Sequence, residues 1–494
     1  MHFQIPFHLY CEQYPTKHSA LYHALRDTVV GGLLAYGTKL PSTRELAQLY
    51  GLSRGTVNQV YETLASEGYF VSELGRGTFV SYRQHAVDAA TSPTAEAAAS
   101  KRAPDFRLSP WGQRIMSGAP RSGGSSSGSD GRAADVIDFN RFALDADEFP
   151  REAWNRCLYA QVRELSHGQA SLPGEHPAQG CLALRGAIAQ YLRRARGLAV
   201  QPEHVAVTGG SMQAIALLAQ LLIGPGETAV AEAPGYAGTR RAIHAAGGQC
   251  IDARVDALGI VPADWDAKAV FVTPTRQFPT GAVLSLERRQ ALLRWAVERE
   301  SVIVEDDYDS EFRHRGKSLE PLKALDREER VVYVGSFTKT LLPGFRIGYA
   351  VLPTPLAEPF ARAQALFEPQ PVNLLEQRAL AAFMASGEYE RHLRRMKRIY
   401  SRKFAFLMQR VKAELSGAFD WVESDAGLHV FGWWKGTEEQ YRVLKKKGEE
   451  AGVCWSEAKA EAEDGTSRCG IYLNFPHLTE EEMRQGVHRI LKCL

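Results

Sequence analysis

The sequence predicts an α/β fold with a mostly parallel central sheet, preceded by a small helix-turn-helix module that ends in a β-hairpin. Three observations carry this. Apolar, β-branched runs at Val205–Thr208, Ala229–Ala231, Ala269–Val272 and Val302–Val304 alternate with stretches of helical periodicity, the pattern of strands joined by crossover helices. A Gly-, Ser- and Ala-rich stretch separates residues 136–494 from a well-patterned N-terminal segment, 1–83. At 494 residues the chain exceeds what one hydrophobic core supports, so two or more domains are expected.

The bulk composition is that of an ordinary globular protein, 45% hydrophobic and 23% charged, and a formal net charge of +2 singles out no partner. Seven cysteines are scattered without a CxxC pair or zinc-type spacing, which suits reduced thiols in a cytoplasmic protein and predicts no metal site. The first residues, Met1-His2-Phe3-Gln4-Ile5-Pro6, lack the basic and apolar regions of a leader, and no apolar run reaches membrane-span length. No membrane association is expected.

Within 1–83, Ser42-Thr43-Arg44-Glu45 reads as a capping box opening a helix that Gly51 ends. Ser53-Arg54-Gly55-Thr56-Val57 opens a second helix, where Val57, Val60, Tyr61 and Leu64 share one face and leave Arg54, Thr56 and Asn58 outward. Tyr69–Val71 and Gly77–Val80 then flank a turn with Arg76 at its tip, which predicts the hairpin. Two short helices joined by a tight turn can present the second to a major groove. Leu40-Pro41-Ser42-Thr43-Arg44-Glu45-Leu46-Ala47, Ser53-Arg54-Gly55-Thr56-Val57, Glu67-Gly68 and Gly75-Arg76-Gly77-Thr78-Phe79-Val80 resemble the winged helix-turn-helix of the GntR family. The resemblance implies binding to double-stranded promoter DNA through Arg44, Arg54, Thr56, Gly75 and Arg76, with Ser53 and Asn58 on the same edge. Charge adds little, because residues 1–83 hold seven Lys and Arg against six Asp and Glu, so two copies on a dimer are expected to share the binding. Residues 84–135, including Ser122–Gly131, are expected to be a flexible linker, with an apolar island around Phe106–Trp111 docking on a domain surface.

In 136–494, Lys339 follows the apolar run Val331–Val334 and precedes Arg346 by seven residues, while Glu305-Asp306-Asp307-Tyr308 ends another such run. Gly209-Gly210-Ser211-Met212 follows a third and opens a helix whose N–H groups suit a phosphate, and Pro234-Gly235-Tyr236 places an aromatic at a fourth. A lone Asp after a strand is usually a cap and a lone Tyr after Pro-Gly a packing residue. Neither habit explains an amine, an acid, phosphate donors and a flat ring in this order.

These residues, with Arg196-Gly197, Pro279-Thr280-Gly281 and Asp309-Ser310-Glu311-Phe312, resemble the fold-type I aminotransferases, and the whole chain resembles the MocR/GabR regulators. The resemblance implies pyridoxal 5'-phosphate on Lys339 as a Schiff base, Asp306 at the pyridinium nitrogen, Tyr308 at the ring hydroxyl, Tyr236 stacked on the ring, and Ser211, Ser336 and Arg346 at the phosphate. Met212 and Gln277 complete the expected set. It also implies a head-to-tail homodimer.

Three positions depart from the aminotransferase pattern. Tyr472 stands in Tyr472-Leu473-Asn474-Phe475 where those enzymes carry a carboxylate-binding arginine, Glu175 stands where a tyrosine is usual, and Arg276 replaces a common histidine. Arg276, Tyr472 and Arg468 are therefore the expected effector contacts. Loss of a bidentate carboxylate contact argues against efficient transamination. The expected function is a regulator sensing an amine, an amino-acid-like metabolite or the cofactor itself; the alternative is an active aminotransferase that also binds DNA.

Overall fold

The computed structural model describes residues 3–83, 107–118, 136–166, 177–316, 318–461 and 467–494, and the chain divides into two units, Met1–Phe106 and Arg107–Leu494. In the first unit, helices Phe7–Gln13, Lys17–Val30, Thr43–Tyr50 and Arg54–Ser66 precede a hairpin of Phe70–Glu73 and Gly77–Val80. The capping box forms: Glu45 N–H donates to Ser42 Oγ at 3.3 Å, and Ser42 N–H donates to the Glu45 carboxylate at 2.8 Å. Gly51 ends the helix in the left-handed region, at φ 63°. Leu21, Leu25, Leu46, Val57, Val60, Leu64 and Val80 are buried together. The hairpin gains a third edge where Leu40 N–H donates to Thr78 O at 2.9 Å.

Of the stretch expected as linker, 84–135, residues 107–118 are described, and Pro110–Gly118 is a helix. Ser109 starts it, its Oγ accepting from Gly112 N–H at 3.2 Å, and Pro110 fits a first helical turn. Arg114 ties it to the second unit by donating to Ala245 O at 3.2 Å.

The second unit is built on an eight-stranded sheet, in spatial order Val205–Thr208, Gly348–Val351, Val331–Ser336, Val302–Asp307, Ala269–Val272, Thr228–Ala233, Gln249–Asp256 and Gly259–Ile260. All run one way except Gly348–Val351 and Gly259–Ile260, which are antiparallel to their neighbours. Strand alternation splits the core: Val205 and Val207 pack with Leu184, Ile188 and Leu380, whereas Ala206 packs with Ile215, Leu218 and Phe360. Both faces are thus covered, as a parallel sheet requires. A second, antiparallel sheet of Phe419–Trp421, His429–Trp434, Ser467–Asn474 and Ser456–Glu461 packs through Val430, Ile471 and Leu473 on Leu407 and Val411 of helix Glu388–Leu415 and on Met483, Val487 and Ile490 of helix Glu480–Cys493.

The parallel strands end together at Thr208, Ala233, Val272, Asp307 and Ser336, the edge where open α/β sheets take ligands. Gly348 fixes one wall of that edge, since a Cβ there would lie 2.6 Å from Gly210 C and 2.7 Å from Ser211 N, both backbone atoms that cannot swing aside. Gly348→Ala is therefore expected to destabilise the second unit by about 1–3 kcal/mol, as overpacking does. Urea unfolding of the cofactor-free chain, compared with wild type, measures it.

Candidate functional site

Lys339 closes a 3₁₀ turn, Phe337–Lys339, that continues the strand Val331–Ser336, and Ser336 Oγ caps the turn by accepting from Thr338 N–H at 3.1 Å. Its amine lies over the Phe142 ring, 2.7 Å from the centroid. Burial pushes the Lys339 ammonium down to about 7, with Asp309 and Asp306 pulling the other way.

Alternation along Val302–Asp307 decides which acid meets the site. Glu305 accepts from Leu322 and Lys323 N–H at 2.9 and 2.8 Å. Asp307 accepts from Arg196 (2.5 Å), Tyr333 (2.6 Å), Thr275 (2.9 Å) and Ser310 (2.9 Å). Asp306, between them, has a buried Oδ1 with no hydrogen-bond partner. Burial, then Asp307 and Glu232, push its carboxyl up to about 7. An orphaned carboxylate oxygen in a buried site is costly, and a cationic N–H is the group that satisfies it. The pyridinium of pyridoxal phosphate fits that vacancy in the hydrogen-bond pattern.

The phosphate end fits as well. Helix Ser211–Leu222 begins after Gly210, at φ 110°, without a side-chain cap, leaving its first N–H groups for a ligand. Arg346, at φ 49°, brings Nη2 to 3.1 Å from where a Gly210 Cβ would stand. Tyr236 is 38% exposed and packs with Met212 around Gly238. Phe278 joins the aromatic wall, meeting Tyr236, Tyr308, His429 and Tyr472 edge-on at 6.0, 5.6, 5.7 and 5.4 Å between centroids.

Several expected contacts are placed differently. Arg276 is not an open anion grip: it is 3% exposed, with Nη1 donating to Tyr308 Oη (2.8 Å) and Asp309 (3.0 Å) and Nη2 donating to His429 O (3.1 Å). Gln277 is buried and spends its amide internally, donating to Glu232 and Pro234 O and accepting from Thr280. Arg468 pairs in unbroken register opposite Ala460, while Tyr472 lies opposite Ser456 and Phe431; four residues apart on one strand, they stand roughly 13 Å from each other. Arg468 instead stacks over Trp433 at 4.6 Å. It shares with Arg276 the wall of a cavity of about 1030 Å³. Glu175 lies outside the described residues. Phe142, Phe278 and His429 had no signal of spacing in the sequence, because tertiary packing alone brings them here.

On the first unit, Arg44, Arg54, Asn58, Gly75 and Arg76 are exposed. Ser53 caps the second helix of the pair by accepting from Thr56 N–H at 3.0 Å, and its hydroxyl meets that of Thr56 at 2.8 Å. Asn58 donates to Glu62, and Arg76 pairs with Glu73. Among the described residues no group of three or more His, Cys, Asp or Glu suits a metal ion, and no helix is long and apolar enough to cross a membrane.

Residues 17–80 match the model for bacterial regulatory proteins of the gntR family, and residues 160–490 match that for aminotransferase class I and II. The chain is 34% identical over 481 residues to the probable rhizopine catabolism regulatory protein MocR of Rhizobium meliloti, covering 96% of this chain and 92% of that one. It is also 34% identical to the pyridoxine biosynthesis regulator PdxR of Corynebacterium glutamicum, over 76% of this chain and 74% of the relative. In structure it is similar to a kynurenine aminotransferase of Pyrococcus horikoshii, at TM-score 0.66 and 22% identity, covering 81% of this chain and 97% of that one, a likeness of fold.

The Asp306 carboxyl sits above its ordinary 3.8, at about 7, so its contribution to stability is present at low pH and lost as pH rises through that window. Asp306→Asn is expected to stabilise the cofactor-free chain at pH 8 by on the order of 1–3 kcal/mol, to have little effect near pH 4, and to weaken cofactor binding. Urea unfolding at the two pH values, with a cofactor titration, checks all three.

Proposed function

This chain belongs to the MocR-type transcriptional regulators, a GntR-type DNA-binding domain joined to a class I and II aminotransferase domain, and we propose that it holds promoter DNA under the control of an amine or amino-acid-like effector, or of its cofactor, recognised at Lys339. The cofactor is pyridoxal phosphate, which when bound supplies an aldehyde that condenses with primary amines. Asp306 supports this reading most directly, as its unpaired Oδ1 suits a pyridinium donor. Lys339 provides the amine, Tyr308 the donor to the ring oxygen, Tyr236 the stacking face, and Ser211, Ser336, Arg346 and the start of helix Ser211–Leu222 the phosphate cradle.

With the cofactor bound, Lys339 would hold it and give way to an incoming amine, and the residues present supply no grip for a further step. An amino acid's carboxylate meets Tyr472, Phe278 and His429 rather than a guanidinium, and Arg276 is already matched to Asp309. Without a charge-assisted clamp the substrate α-carbon is not held in line for proton removal. The cavity that Arg276 and Arg468 share offers room for the distal part of an effector. PdxR is named for pyridoxine biosynthesis, which makes the cofactor itself an effector worth testing. The working form is a head-to-tail homodimer, whose two near-neutral heads act together on repeated half-sites. Residues 1–83 form the DNA-binding domain and 136–494 the sensing domain.

Titrating the cofactor-loaded protein with amines is expected to shift its visible absorbance without sustained consumption of 2-oxoglutarate; steady turnover would establish the aminotransferase alternative. On a duplex selected from a random pool by the wild-type protein, Arg54→Ala is expected to weaken binding by about tenfold and to reduce the salt slope by about one, whereas an unchanged affinity would remove Arg54 from the interface.

A further inference from the structure

Arg276 is a buried cation whose use the reading above leaves open. Its guanidinium has donors only, so in the 2.8 Å contact with Tyr308 it is the phenol oxygen that accepts. Tyr308 makes no other hydrogen bond among the described residues, which leaves its one hydroxyl hydrogen for a ligand. The guanidinium cannot swing away. Asp309 holds Nη1 at 3.0 Å, His429 O holds Nη2 at 3.1 Å, and the backbone of Gly427, at φ 100°, presses so close that a Cβ there would fall 2.1 Å from Arg276 Cζ.

We infer that Arg276 is a positioning residue for the cofactor: it fixes Tyr308 as a donor toward the ring oxygen and strengthens that donor with its charge. The inference rests on the assignment of Tyr308 to the ring hydroxyl. A phenol that accepts from a cation gives up its own proton more readily to the next acceptor, because hydrogen bonds in a chain polarise one another. A stronger pull on the ring oxygen loosens its hold on the proton it shares with the nitrogen supplied by Lys339. The visible absorbance of the loaded protein then titrates at lower pH.

Other charges bear on the same atoms. Asp306 and Asp309 face Tyr308 from its own segment and oppose Arg276, burial itself raises the phenol, and Lys339 lies beside both acids. His429 and Tyr472 stand across Phe278, with His429 held well below its ordinary value by burial and by Arg276. Asp309 is matched to Arg276, so a test has to remove the cation without stranding the carboxylate.

The test is a pH titration of the absorbance of full-length, cofactor-loaded protein. R276M/D309N, which deletes the ion pair as a unit, is expected to raise the midpoint by about one unit, the scale on which a neighbouring charge moves a titration. R276K, which keeps the charge, is expected to return most of that shift. Y308F is expected to raise the midpoint by itself, and R276M/D309N added to Y308F to raise it no further, since the effect passes through the hydroxyl. An unmoved midpoint in R276M/D309N, or full additivity with Y308F, overturns the inference. Y308F changes few buried atoms and keeps the inference testable if the neutral pair fails to fold: an unmoved midpoint in Y308F also overturns it. A wild-type protein that develops no visible absorbance with pyridoxal phosphate overturns instead the cofactor assignment on which this rests.

Discussion

The buried ion pair of Arg196 and Asp307 holds the pocket's floor in place. Both side chains are almost wholly buried, and the carboxylate also accepts from Thr275, Ser310 and Tyr333. These donors arrive from helix Leu182–Arg196, the loop after Ala269–Val272, the turn after Val302–Asp307, and strand Val331–Ser336. Three of the donors converge on Oδ2 and the fourth, from Thr275, reaches Oδ1. The pair is therefore a junction of elements rather than a gain in stability by itself, and breaking one side would leave a buried charge unmatched. Its consequence lies one residue to either side. With Asp307 and Glu305 fixed on one face, Asp306 is directed to the other without a partner, and Tyr333 pins the strand whose next turn carries Lys339.

Much of this was legible in the sequence, for physical reasons that also mark where legibility ended. A lysine after one apolar run and acids after another are local patterns, and strand ends on a parallel sheet converge wherever the runs are real. Ser42 with Glu45 and Gly51 are equally local, and both helix boundaries fell where capping put them. The partners of Arg276 were not legible because they are remote in sequence: Asp309 is 33 residues away and His429 is 153. Gln277 had no visible reason to turn inward, since Glu232 and Pro234 lie on another strand's end. The helix Pro110–Gly118 was hidden by the composition around it, although Ser109-Pro110 is a helix start. Tyr472 and Arg468 needed the register of Ser467–Asn474, which only strand pairing fixes.

The first unit shows the same economy in a different setting. Ser53 and Thr56 spend their hydroxyls on the helix start, so they shape the recognition helix as much as they offer contacts. Arg44, Arg54 and Arg76 are outward cations, as are Lys17, Lys39 and Arg83, set against nearly equal negative charge in 1–83. A module so close to neutral gains little from non-specific attraction. On the proposed reading, its discrimination comes from how its donors are placed, which gives the helix caps and the hairpin a part in recognition.

The pocket's charges are balanced in a way that separates sensing from catalysis. Arg196 answers Asp307 and Arg276 answers Asp309, while Arg346 and a helix start converge where a phosphate dianion would lie. On the proposed reading, what would face the remainder of an amine ligand is aromatic: Phe278, Tyr472 and His429. An amino acid bound there forgoes a charge-assisted contact of about 1.5–3 kcal/mol, and more consequentially its α-carbon is left loosely oriented, which proton abstraction does not tolerate. Regulation tolerates it well. A ligand need only favour one arrangement of the protein over another, and couplings of about 1–3 kcal/mol suffice. With the cofactor bound, Lys339 would be the amine held there, and its buried position beside Asp306 and Asp309 makes its charge sensitive to what occupies the pocket. On the proposed reading, the pocket keeps the parts that would hold pyridoxal phosphate and meet an amine, and has no unmatched guanidinium beside Phe278 and Tyr472 to grip a carboxylate.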